Sequence, residues 1–258
     1  AALRIVAIPP KTHPTMNFPA LGITRDDPGK CVLGTVPVEE DDSAYFRAPA
    51  GVIVFFQALD AAGVAVQTMR SATHVQPGQT LSCAGCHEGR NTAAPQKPAL
   101  AARRAPSKIA VGPEGSWPLR YDRLVQPVLD RHCAACHAPG AEGAAFDLTA
   151  AKSYETLVRY GAPSLRDHVV ARYHQGRSIE GEGAAGRSPL LALLKAPGGH
   201  RGAVLDKEAR ERLTLWIDTY GQRLGSFSAE QEEQLLALRA ESAALLIERP
   251  PETARAER

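Results

Sequence analysis

Two five-residue words constrain this chain more than anything else in it. Cys83-Ala84-Gly85-Cys86-His87 and Cys133-Ala134-Ala135-Cys136-His137 share the pattern C-x-x-C-H, the attachment signature of c-type haem. Two cysteines three apart offer their sulfurs to the two vinyl groups of one porphyrin, and the adjacent histidine reaches the iron from the same side. A zinc ribbon would need a second C-x-x-C pair about 15–20 residues on, and these words lie much further apart. A thioredoxin-like pair would sit in a βαβ pattern that surrounds neither word. The expected cofactors are therefore two covalently bound haem c groups, held by Cys83, Cys86 and His87 and by Cys133, Cys136 and His137.

A chain of 258 residues with 44% hydrophobic content is globular and long enough for two domains. Its 30 basic and 28 acidic residues are interspersed and leave a formal charge of +2, which points to neither nucleic acid nor a membrane surface as partner. No apolar run approaches the roughly 20 residues that span a bilayer. Covalent haem attachment takes place outside the cytoplasm, so a removed export signal and a periplasmic or otherwise exported location are expected. Four of the five cysteines belong to the two words. The fifth, Cys31, reads as a small buried hydrophobe at a strand start.

The expected fold class is α+β, a small N-terminal antiparallel β-sandwich followed by a helical cytochrome c-like domain. Over residues 1–80, short β-branched and aromatic runs alternate with Pro, Gly and Asp clusters. The predicted strands are Leu3 to Ile8, Val32 to Val38, Ala44 to Arg47, Val52 to Gln57 and Val64 to Met69, with Val52 to Phe56 a central strand buried on both faces. Residues 81–118 hold the first word and a Pro- and Ala-rich surface connector. Residues 119–226 form the helical domain, with a helix from about Tyr121 running into the second word. Further helices are predicted for Tyr154–Tyr160, Ser164–His174, Pro189–Lys195 and Lys207–Tyr220, the last capped by Asp206. Trp216 reads as core. Residues 227–258 give a final helix, opened by the capping box Ser228-Ala229-Glu230-Gln231 and running to about Glu248, whose leucines cover the chain's own core.

The run Leu33-Gly34-Thr35-Val36-Pro37-Val38 through Ala44-Tyr45-Phe46-Arg47, with Phe55-Phe56-Gln57-Ala58-Leu59-Asp60 and Ala65-Val66-Gln67-Thr68-Met69-Arg70-Ser71, resembles the C-terminal region of hydrazine synthase alpha-subunit-like proteins. Val125-Gln126-Pro127-Val128-Leu129-Asp130-Arg131-His132-Cys133, Ser188-Pro189-Leu190-Leu191 and Leu215-Trp216-Ile217-Asp218 are similar to the same region, so the resemblance covers roughly residues 3–227. It implies a dihaem chain that in many members follows a β-propeller. It also implies a first haem whose iron is bound by a tyrosine just after the word while the word's histidine turns to zinc. Here Glu88-Gly89-Arg90-Asn91-Thr92 follows His87, without that tyrosine. His87 is therefore expected to ligate its own iron.

A second protein ligand closes an electron-transfer haem, whereas a catalytic haem leaves that position to substrate. For the second haem the candidates are His200, in a glycine-rich loop, then His168 and His174. For the first they are His74, then Met69 and His13, with Met16 more remote. The expected function is single-electron transfer between redox partners, other cytochromes or subunits of a larger assembly. The alternative is a haem enzyme acting on a small nitrogen or peroxide substrate at the first haem, with the second as relay.

Overall fold

The computed structural model describes residues 1–15, 18–25, 27–85, 98–175 and 179–249. Six strands form one sheet: β1 (Ala2–Ala7), β2 (Cys31–Pro37), β3 (Val54–Leu59), β4 (Ala65–Thr68), β5 (Ile109–Ala110) and β6 (Leu246–Ile247), in the order β4-β3-β1-β2-β5-β6. The pairs are antiparallel except β5 with β6, which is parallel. Among the described residues, seven α-helices accompany it: α1 (Tyr121–Leu124), α2 (Gln126–His132), α3 (Ser153–Val158), α4 (Leu165–Tyr173), α5 (Pro189–Leu194), α6 (Lys207–Asp218) and α7 (Ala229–Glu241). The class is α+β.

Strand side chains alternate between faces, and both faces of this sheet are covered. Val6, Val32 and Phe55 pack into a core built with α1 to α6, around Leu124, Val169, Leu213 and Trp216. Their neighbours Ile5, Ala7, Cys31, Leu33 and Val54 turn the other way, onto Trp117, Leu235 and Leu246. The predicted sandwich is thus a single sheet. Its second cover is α7 with Val111 and Trp117 in place of a second sheet, because the strands on offer are few and short while α7 brings Leu235 and Leu238 to that face.

That arrangement corrects five further expectations. The connector is not confined to the surface: Ile109, Val111, Trp117 and Leu119 are buried, and β5 joins the sheet. Ala44 to Arg47 makes only an isolated bridge, Phe46 to Ser107. The third strand starts at Val54, leaving Ile53 45% exposed. The last helix stops at Glu241, and Ser242 caps it before the chain turns into β6. Ser228 does accept from the Gln231 N–H, but the Gln231 side chain bonds the Phe227 N–H in place of that of Ser228. Leu235, Leu238 and Leu246 cover the chain's own core.

A buried polar network ties the sheet to the helices. Arg4 on β1 donates to Gln57 Oε1 at 2.8 Å and to the Gly63 carbonyl at 3.0 Å, and lies 3.6 Å from Asp218 at the end of α6. The Asp218 carboxylate accepts the N–H of Ala65 at 2.9 Å and of Ala185 at 3.0 Å, and Gln57 donates to its carbonyl. Burial pushes the Asp218 carboxyl up, opposed by Arg4 and by the two N–H groups.

Candidate haem site

Helix α2 delivers the second word. Its end is made by Cys133, whose N–H bonds the Leu129 carbonyl, and the next residues turn tightly, with Cys136 and His137 both donating to the Cys133 carbonyl. The chain then loops back on itself: the Gly143 N–H bonds the Cys136 carbonyl at 2.8 Å, and the Leu148 N–H bonds that of His137 at 2.8 Å. These bonds fix the word's backbone from both sides.

The Gly143 carbonyl lies 3.2 Å from His137 Nδ1. A carbonyl can only accept, so Nδ1 carries the proton and Nε2 keeps its lone pair. Metal-ligating histidines are oriented by such a second bond. Gly143 has no room to be anything else, since a Cβ there would stand 2.7 Å from both the Cys136 oxygen and His137 Nδ1. On the ring's flank Phe146 packs edge-on at 5.7 Å, backed by Tyr160 at 5.8 Å. Cys133, Phe146, Tyr160 and Leu194 are partly buried apolar groups at the margin of the main core.

The ring of His200 stacks on the side of His137, with centroids 6.0 Å apart and planes 22° from parallel. The loop that carries His200 is shaped by its glycines. Gly198, Gly199 and Gly202 all have positive φ, and a Cβ on Gly199 would meet the Ala203 oxygen at 2.2 Å, so a side chain at 199 would break the turn. Arg201 pairs with Glu142 at 2.7 Å, joining this loop to the one that carries Gly143. His137 and His200 are both partly exposed, and Cys136 is exposed. Burial, with Cys136 beside it, pushes the Cys133 thiol up to about 11. It is a neutral thiol at pH 7, unlike the low-pKa cysteine of a redox pair. Among the described residues no three of His, Cys, Asp and Glu gather to hold a metal ion. Cys133, Cys136 and His137, with the ring of His200 beside them, are residue types that would suit a covalently attached haem.

The other candidates fall elsewhere. His168 is buried and donates Nε2–H to the Ala184 carbonyl at 2.8 Å, a structural role. His174 caps α4, with its ring against Tyr173 at 5.0 Å. In the first word Cys83 is exposed, whereas Cys86, His87 and the alternative ligand Met16 lie outside the described residues. His74 is exposed on an extended segment between Thr73, which pairs with Val54, and Val75, which accepts from Gly51. Met69 continues the sheet through its N–H to Phe56 O and packs against the main core. His13 accepts from the Thr15 N–H and stacks edge-on Phe18. Sequence reasoning missed Gly143, Phe146, Tyr160 and the Glu142–Arg201 link, none of which carries a motif.

Comparison with known proteins adds a relationship. Residues 2–88 match the family model of the hydrazine synthase alpha subunit middle domain. The chain is similar to the hydrazine synthase alpha subunit. A chain of the Kuenenia stuttgartiensis hydrazine synthase structure superposes with a TM-score of 0.55 at 19% identity, over 87% of this chain and 39% of that one. This likeness is one of fold, and the chain spans well under half of that relative's length. A search of curated protein sequences gave no significant match. Among the described residues no helix is long and apolar enough to cross a membrane.

Proposed function

We propose that this chain is a dihaem c-type electron-transfer module, its helical part a cytochrome c-like domain. His137 and His200 would ligate the iron of the second haem, and Cys133 and Cys136 would anchor it covalently. The observation that carries this is the His137 ring, its Nδ1 held by the Gly143 carbonyl, with the ring of His200 stacked 6.0 Å away. A covalently attached haem there would supply a one-electron couple. The protein's residues do the rest: His200 would keep small ligands from the iron, Gly143 orients and polarises His137, and Phe146 and Tyr160 shield one flank. Ligation by two imidazoles favours electron transfer over substrate binding.

The first word, Cys83 to His87, would hold the other haem c group, the first haem. Partners are other redox proteins or subunits of an assembly, since the matched model belongs to an alpha subunit. Covalent haem attachment implies an exported, periplasmic setting. Replacing His200 with alanine tests the axial pair in the holoprotein. The second haem should change from six- to five-coordinate and bind carbon monoxide. An unchanged low-spin spectrum would remove His200 from the proposal.

A second reading draws on the match of residues 2–88, which spans the first word. It is a haem enzyme acting on a small nitrogen or peroxide substrate at the first haem. A parent protein whose first haem is five-coordinate and binds small ligands would favour it.

A further inference from the structure

Beside the sheet a cavity of about 450 Å³ opens, within the range of small-molecule pockets. Ile8, Phe55 of β3 and Met69 line it, with Tyr173 at the end of α4 and Tyr220 after α6. Ile8, Met69 and Tyr173 pack on the main core yet stay partly open. Three side chains of fixed charge share the lining: Asp27, Lys30 and Arg70. Lys30 pairs with Asp27, so those two leave no net charge. Arg70 donates to the Tyr220 hydroxyl at 3.0 Å and to the Tyr173 carbonyl, both neutral groups. Its positive charge is the one that the lining does not balance.

That guanidinium is held in place. The two bonds engage two of its five N–H groups, and its central carbon lies 5.9 Å from the centre of the Tyr173 ring. A fork fixed before a ligand arrives loses little freedom in gripping a carboxylate. Tyr220 is positioned as firmly. Its φ of 66° is left-handed, at the turn after Thr219 caps α6, where glycine is usual and a bulky residue is an outlier. Strain of this kind collects at ligand sites. Burial pushes the Tyr220 hydroxyl up, so it keeps its proton while it accepts from Arg70.

We propose that this cavity binds a small apolar monocarboxylate, its carboxylate on Arg70 and the Tyr220 hydroxyl and its hydrocarbon body on Ile8, Phe55 and Met69. A second anionic group would meet only the Lys30–Asp27 pair, already neutral as a whole. A polar body would lose its water against Ile8, Phe55 and Met69 without gaining hydrogen bonds from those side chains. The proposal does not depend on either haem.

Calorimetric titration of the purified full chain with 3-phenylpropionate at pH 7 tests this, with 3-phenylpropionamide and acetate as controls. The acid should fill one saturable site per chain. The amide lacks the charge and acetate lacks the apolar body, so each should bind roughly tenfold or more weakly. Arg70→Gln should bring the acid down to the affinity of the amide. Tyr220→Phe, which keeps the ring, should weaken the acid several-fold, and it carries the test if loss of Arg70 unfolds the chain. No saturable binding at millimolar acid, equal affinities for acid and amide, or a site unchanged in folded Arg70→Gln or in Tyr220→Phe would overturn the proposal. So would binding that shifts a haem absorption band, since that would put the carboxylate on an iron.

Discussion

Replacing Gly143 with alanine tests how the second word holds its histidine. The new Cβ would stand 2.7 Å from the Cys136 oxygen and 2.7 Å from His137 Nδ1, against about 3.4 Å for ordinary contact. The ring and the 143 backbone must therefore separate by about 0.7 Å, the difference between those two distances. The Nδ1–H···O bond, now 3.2 Å, would lengthen past hydrogen-bonding range. Such a bond makes the imidazole a better donor and favours oxidised iron. A neutral hydrogen bond contributes about 0.5–1.5 kcal/mol, and a one-electron couple moves 59 mV per tenfold change. The potential of the second haem should rise by about 20–60 mV, with that of the first unchanged. Spectroelectrochemical titration of the holoprotein reads both. A fall, or a shift of less than about 10 mV, well below the span computed from that bond, would show that the Gly143 carbonyl does not tune His137.

The Asp218→Asn protein should be destabilised by about 3–5 kcal/mol, because Arg4 stays buried without its anion and one of the two N–H groups on the carboxylate faces an amide NH₂. Thermal unfolding followed by circular dichroism should drop by roughly 10 °C, and the double variant with Arg4→Met should be less destabilised than the two single losses summed; additivity would break the inferred coupling. Cys31 is fully buried at the start of β2, and burial pushes its thiol well up. In the folded protein it should resist alkylation at pH 8 and react on denaturation; rapid labelling of the native chain would contradict the packing of β2.

Much of the site was legible because its chemistry is local in sequence. A C-x-x-C-H word fixes two thiols and an imidazole within one turn, and the glycines around His200 announce a loop able to present a ring. The element that orients His137 could not be read in the same way, since it is a backbone oxygen six residues on and carries no residue signature. The strands of the first eighty residues were visible from their β-branched runs. Both faces of the sheet are buried, so Ile5-Val6-Ala7 and Cys31-Val32-Leu33 do not show the alternation that would tell one cover from two. The strands β5 and β6, of two residues each, are too short for any period, and Trp117 reaches the core from a stretch that reads as linker. Arg4 and Asp218 look like surface charges until the fold pairs them.

The central claim is that one chain carries two covalently attached haems. A pyridine haemochrome assay on the purified, matured protein, set against its protein concentration, measures this directly. The account predicts two haem c groups per chain, and a value of one or none would contradict it.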